Sequence, residues 1–329
     1  MEKNYYILKS GRLRRKQNTV YFEDKDGQKP IPVNAINAIF AFGELDINSK
    51  LLLFLSKNKI AVHFFNYYGF YSGSFYPREY LLSGFLLVKQ AESYLNPERR
   101  INIAKEFIRT ASFNILQNLN YYERQGKDVS ATIRAIESER NNIETARNIP
   151  ELMGSEGRMR DLYYQSFDSM LRPGFEFEKR TKRPPENMIN CLISFGNQLL
   201  YTAVLSEIYH TQLNPTISYL HEPGARRFSL SLDVSEVFKP IIVDRIIFNL
   251  INNRIIKEEH FDDNLKFCYL NEAGRRIFLS HFDEKMKTTI QHKTLKRKVS
   301  YRTLIRLECY RLIKHIIEGK KYEGFRMWW

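Results

Sequence analysis

The chain has 329 residues, 43% apolar and 27% charged, with 51 Lys and Arg against 37 Asp and Glu and a formal charge of +14. That length buries a substantial core in one to three domains, and the balance is that of a globular protein rather than a disordered or fibrous one. The excess of cations favours polyanions, nucleic acid ahead of an anionic membrane, and apolar runs such as LLLFL at 51–55 are too short to span a bilayer.

Residues 1–80 read as strands around one helix. YYIL (5–8) and TVYF (19–22) are rich in aromatic and β-branched residues. A turn around Asp26-Gly27 separates TVYF from KPIPV and predicts a hairpin. AIFAF (38–42) and AVHFF (61–65) are short apolar runs suited to buried strands. Between them INSKLLLFLSKN predicts one helix capped by Asn48 or Ser49. Gly69, Gly73 and Pro77 punctuate the end of this region.

From about Leu81 the apolar period becomes helical. Helical stretches follow over LLSGFLLVKQAESYL, INIAKEFIRTASFNILQNLNYYERQ and VSATIRAIESERNNIETAR. Pro150 opens the next helix. ENMINCLISFGNQLLYTAVLSEIYHTQL is another, then residues 232–257, then Ser300–Glu318 with Gly319 as its stop. The expected class is α+β. A β-rich part, residues 1–85, precedes a larger helical part, residues 86–329, with a boundary near 80–90.

The last 45 residues hold 13 Lys and Arg against Glu308, Glu318 and Glu323. Within them lies KTLKRK, which includes Lys296, Arg297 and Lys298. A stripe of Tyr301, Leu304, Ile305, Leu312 and Ile316 on this basic helix fits a core better than a membrane surface. Cys191, Cys268 and Cys309 lie far apart with no CxxC, which points to a reducing compartment. MEKNYYILKSGRLRRK lacks the apolar core of a signal peptide, so the cytoplasm is the expected location.

Four residues carry the chemistry. Glu156 falls on the apolar stripe of Leu152, Met159, Tyr163 and Met170 in the helix after Pro150. A carboxylate there needs a partner or a cation. Gly154 and Gly157 flank it, tolerable where a backbone or ligand approaches closely. His221 precedes the turn EPGARR. Asp233 and Glu236 follow, three residues apart and so on one helix face. An imidazole with two or three carboxylates suits Mg²⁺ or Mn²⁺ better than Zn²⁺. Taken singly, each has a structural explanation: a buried Glu156–Arg ion pair, a satisfied histidine, an ordinary DxxE surface.

The strings GSEG-x₅-YY, RPPENMIN-x₅-GNQLLY, NPTISYLHEP and SLSLDVSEVFKPIIVDR resemble, in order and spacing, the CRISPR-associated endonuclease of spacer acquisition, the Cas-one integrase family. The resemblance implies that Glu156, His221 and Glu236 bind Mg²⁺ or Mn²⁺, with Asp233 behind them or sharing the ligand role. It implies a homodimer built through the β-rich part and a small ferredoxin-like partner, the Cas-two protein. The implied reaction is attack of a prespacer DNA 3′-hydroxyl on the CRISPR repeat, in a metal-dependent endonuclease and integrase. Arg226 and Arg227 beside His221, KRTKR at 179–183, and Lys296, Arg297 and Lys298 are candidates to hold the DNA backbone. Trp328 and Trp329 either pack or stack on bases. The competing expectation is a non-catalytic basic scaffold whose acids and histidine form only a polar network.

Overall fold

A computed structural model describes residues 3–182, 184–224, 228–264 and 267–328. Its N-terminal part contains β1 (Lys3–Ile7), β2 (Gly11–Lys16), β3 (Thr19–Asp24), β4 (Gly27–Pro32), β5 (Ile36–Ala41), β6 (Leu45–Ile47), α1 (Ser49–Lys57), β7 (Ala61–Phe65) and β8 (Tyr71–Phe75). One sheet has the order β1-β5-β7-β8, with β1, β5 and β7 parallel and β8 antiparallel. The other has the order β4-β3-β2-β6. Every residue of β5 is buried because both faces are covered. Ile39, Ala41 and Val62 pack with Leu13, Val20, Leu51 and Leu55 on the side of the second sheet. Ala38, Phe40 and Phe65 face the helices instead.

The predicted hairpin and the helix capped by Asn48 are present; the Asn48 side chain accepts from Leu51 N at 3.0 Å. Strands β2, β6 and β8 are additions. In β2, GRLRRK, Leu13 is the one buried residue, so no apolar run announces it. Buried His63 ties this part to the helices, with Nδ1 at 2.7 Å from Ser74 Oγ and Nε2 at 2.7 Å from Ser206 Oγ. Burial pushes its pKa down to about 3, which keeps the imidazole neutral.

The larger part is mostly helical: α2 (Gly84–Leu95), α3 (Pro97–Glu123), α4 (Ser130–Thr145), α5 (Ile149–Gln165), α6 (Phe167–Met170), α7 (Met188–Tyr209), α8 (Ser229–Phe238), α9 (Arg245–Asn252), α10 (Glu272–Lys287) and α11 (Tyr301–Glu318). Two short hairpins interrupt it, β9 (Phe261–Asn264) with β10 (Phe267–Leu270), and β11 (Thr289–Gln291) with β12 (Lys298–Ser300). Helix α7 is long and apolar enough to cross a membrane by length and composition. Here it is the central core helix, with 83% of its most apolar window buried. A Cβ on Gly196 would stand 2.5 Å from Val243 Cγ1 and 2.9 Å from Phe278, so a hydrogen there lets α7 press against both neighbours.

Between α8 and α9 the chain makes one wide π turn at Pro240–Asp244. Pro240 has no N–H to continue the ladder, and Asp244 N reaches Lys239 O at 3.1 Å. Asn114 and Asn118 of α3 donate to the carbonyls of Val237 (3.0 Å) and Pro240 (2.8 Å) across this irregular stretch. The stripe Tyr301, Leu304, Ile305, Leu312 and Ile316 is buried in the core. Gly319 ends α11 at φ 65°. The tail beyond is pinned by Glu308, which accepts from Tyr322 OH (2.6 Å) and Phe325 N (3.1 Å).

Candidate metal and anion site

Asn148 caps α5 through Glu151 N at 2.9 Å, and Leu152, Met159 and Tyr163 anchor its apolar stripe. Met170, the fourth stripe residue, falls on α6. Glu156 sits between Leu152 and Met159 on the half-buried flank of that stripe. Among the described residues, no backbone from outside α5 approaches its flanking glycines. A Cβ on Gly154 would meet only Arg158 Nη1 at 3.3 Å, and one on Gly157 would meet nothing within 4 Å. Gly157 instead leaves open space at the edge of a cavity that it lines.

His221 enters that cavity from the loop before α8. Asp233, fully buried on α8, organises this loop. Its Oδ2 accepts from Tyr219 N (2.7 Å) and Leu220 N (3.0 Å), and its Oδ1 from His221 N (3.0 Å). The same Oδ1 lies 2.8 Å from His221 Nδ1. Burial would lower the His221 pKa, but the hydrogen bond and charge of Asp233 raise it above the ordinary value. With Nδ1 engaged, Nε2 is the nitrogen left for a ligand.

Glu236, one turn along α8, serves a different neighbour. Its Oε2 accepts from Arg160 Nη2 at 2.5 Å and its Oε1 from Lys239 Nζ. Burial raises its pKa, yet the charges of Lys239, Arg160 and His221 outweigh burial and bring it down to about 2. Arg160 Nε also reaches Glu156 Oε1 at 3.3 Å, so one guanidinium bridges the two glutamates. Lys239 Nζ lies 5.2 Å from the centre of the Tyr201 ring.

The cavity, of about 440 Å³, is lined by Glu156, His221 and Glu236 together with Arg160, Arg180, Lys182 and Lys239. Three of the four expected residues therefore meet in one space, with Asp233 behind His221. In the arrangement seen, no three His, Cys, Asp or Glu side chains among the described residues are close enough to enclose an ion. Arg160 bridges Glu156 and Glu236, and Lys239 pairs with Glu236 alone. The donor set, one imidazole nitrogen and carboxylates on a shared cavity, still fits a hard divalent cation in kind.

Arg160 and Lys239 were not singled out by the sequence pattern. Their signal was present as i,i+4 and i,i+3 spacing from Glu156 and Glu236. Arg158 is held elsewhere, with Nη2 at 2.7 Å from Glu139. Of KRTKR, Arg180 and Lys182 line the cavity, and Arg183 lies outside the described residues. Arg226, Arg227 and Trp329 also lie outside them. Lys296, Arg297 and Lys298 are exposed on the β11–β12 hairpin and do not line the cavity.

Comparison with known proteins gives a consistent result. A family profile described as CRISPR associated protein Cas1 matches residues 5–284. The CRISPR-associated endonuclease Cas1 3 of Thermodesulfovibrio yellowstonii is 52% identical over 328 residues, 99% of this chain and 100% of that protein. A Cas1 protein from Thermotoga maritima superposes with a TM-score of 0.89 at 44% identity, covering 99% and 100% of the two chains. At 18% identity, a casposase bound to integration product shares the fold, with a TM-score of 0.87 over 98% of this chain and 92% of its own. So does a chain of a Cas6-RT-Cas1–Cas2 complex, also 18% identical, with a TM-score of 0.85 over 100% of this chain and 36% of its own.

Proposed function

The chain belongs to the Cas1 family of CRISPR-associated proteins, and from that premise we propose that it is a metal-dependent DNA endonuclease and integrase. It inserts spacers into a CRISPR array by attack of a DNA 3′-hydroxyl on repeat phosphodiesters. The observation that carries the reading is the single cavity on which Glu156, His221 and Glu236 meet four cationic side chains. Glu156, His221 through Nε2, and Glu236 are the residues that would hold Mg²⁺ or Mn²⁺, which when bound polarises a phosphate oxygen and stabilises the leaving oxygen. Asp233 fixes the His221 ring and its tautomer. Arg180 and Lys182 bind the negative backbone and hold it over the acids. With water as attacker the outcome is cleavage; with a 3′-hydroxyl it is strand transfer, and neither needs a protein nucleophile.

The partners follow from the same reading. We assign a homodimer through the β-rich part, and a Cas2 partner in keeping with the Cas6-RT-Cas1–Cas2 complexes that share this fold. The exposed apolar residues of α2, among them Phe85, Val88 and Leu95, suit a protein contact. The free, buried cysteines suit the cytoplasm.

Purified protein mixed with its Cas2 partner, a prespacer bearing 3′-hydroxyls and a repeat duplex is expected to give joined product with Mn²⁺ and none with EDTA. Product unaffected by EDTA would rule out the metal-dependent reading. One observation favours the competing scaffold: Glu236 already has two cationic partners, Arg160 and Lys239. That reading predicts neither Mn²⁺ binding nor turnover.

A second cavity, of about 450 Å³, gathers Lys293, Arg311, Lys314, Lys320, Arg326 and Trp328 near the C-terminus. Lys293 Nζ stands 5.0 Å from the centre of the Trp328 ring. We assign it to DNA backbone away from the reacting centre. The two tryptophans of the chain are Trp328 and Trp329, and Trp328 lines this cavity, so tryptophan emission carries a signal from it. DNA is expected to change that emission at low salt, and the change should fade steeply as salt rises. Lys293→Glu with Lys314→Glu should diminish it. Unaltered emission at saturating DNA, with binding verified by anisotropy, would remove this face from the DNA path.

A further inference from the structure

Arg160 and Asp244 are buried groups of opposite charge, each left incomplete. Arg160 spends Nε on Glu156 and Nη2 on Glu236, while its buried Nη1 has no hydrogen-bond partner among the described residues. Among the described residues, Asp244, 1% exposed, is met by the Tyr163 hydroxyl, and no cation is hydrogen-bonded to either carboxylate oxygen. Its side chain does not hold the π turn, whose closing contact is Asp244 N to Lys239 O. A carboxylate buried without a cation is costly, and such a group calls for an explanation. Burial raises its pKa to about 7, against the opposing charges of Arg160 and Lys239 and the nearby Tyr163 hydroxyl. Arg160 is stabilised in turn by the charge of Asp244, among others.

The need for a second anion is electrostatic, and it rests on the reading of the cavity as a divalent-cation site. An ion held by Glu156 and Glu236 takes away both carboxylates that now neutralise Arg160. A buried cation stripped of its partner is strongly destabilising, and a divalent ion beside it adds repulsion. Among the described acids that act on Arg160, Asp244 is the one that no cation holds. We propose that Asp244 receives Arg160 when Glu156 and Glu236 turn to the metal, so that the guanidinium changes partner within the core. Asp244 is thus a positioning residue: it acts on metal affinity through Arg160 and touches neither ion nor DNA.

The test is Mn²⁺ affinity by calorimetry, with the melting temperature in EDTA measured alongside. Asp244→Asn is expected to weaken Mn²⁺ binding by about 10–100-fold, the range typical of residues that support metal ligands. Its melting temperature in EDTA should stay level or rise, since a buried acid that no cation holds has been neutralised, and the amide oxygen can still accept from the Tyr163 hydroxyl. Asp244→Glu, which keeps the charge, should retain most of the affinity. In an Arg160→Gln background, Asp244→Asn should change the affinity little. Wild-type affinity in Asp244→Asn would overturn the proposal, as would an equal loss in the Arg160→Gln background or a fall in melting temperature in EDTA. Wild-type protein that binds no Mn²⁺ would overturn the cation-site reading and this pair with it.

Discussion

Glu156→Gln and His221→Ala are each expected to reduce Mn²⁺-dependent cleavage and strand transfer by about a thousandfold or more, while DNA binding stays near the wild-type level. The magnitude follows from what a bound ion supplies at a phosphodiester, several kcal/mol of charge stabilisation, with each factor of ten worth about 1.4 kcal/mol. Glu156→Gln is the sharper test. Its amide oxygen can still accept from Arg160, the half-buried position can accommodate it, and the helix keeps its length and packing. Only the anionic donor is lost. His221→Ala removes the one imidazole on the cavity among the described residues, while leaving Asp233 its three backbone donors. DNA affinity survives in both because Arg180, Lys182 and the C-terminal cations are untouched. The measurement is a gel assay of joined and cleaved products against Mn²⁺ concentration, with anisotropy for binding. Variants that keep wild-type turnover would place the chemistry elsewhere on the protein.

What the sequence disclosed depended on how each element is stabilised. Strands β5 and β7 were legible because they are covered on both faces and consist almost wholly of apolar residues. Strand β2 was not, because its stability comes from pairing with β3 and β6 and from a single inward side chain, Leu13. Helix α10 escaped in a stretch where polar residues outnumber apolar ones. Glu156 was legible as a charge on an apolar stripe, and Asp233 and Glu236 as a pair on one helix face. Their counter-ions were legible only as spacing: Arg160, four residues from Glu156, enters the cavity, whereas Arg158, two residues away, turns outward to Glu139. The spacing of Asp233 and Glu236 placed them on one helix face, yet three residues of rotation suffice to aim one at the 219–221 loop and the other at α5. The π turn at Pro240–Asp244 was hidden because PIIV reads as continuous core, and with it the site of Asp244 was hidden too.

Asp233→Asn is expected to be the second severe change, and to act on stability and metal affinity together. Although nearly isosteric, the amide can present only one acceptor oxygen where the carboxylate presents two. Tyr219 N and Leu220 N both point at Oδ2, so an NH₂ in that place sets donor against donor. If the amide flips, the conflict moves to His221 N and Nδ1 instead. These are buried groups, and each one left unsatisfied costs about 1–3 kcal/mol. Loss of the anion from a fully buried hydrogen-bonded site places the total near 3–5 kcal/mol. Denaturant unfolding should show a lowered midpoint with little change in slope. Mn²⁺ affinity should fall by about 10–100-fold, because the ring of His221 loses the partner that fixes its orientation. Ser218→Ala provides the contrast. Ser218 Oγ donates to His221 O at 2.6 Å on the same loop, but its loss removes one neutral bond worth about 1 kcal/mol and leaves the imidazole held. If the two variants proved equally mild, the loop would owe its shape to packing around Tyr219 and Leu220 rather than to the buried carboxylate.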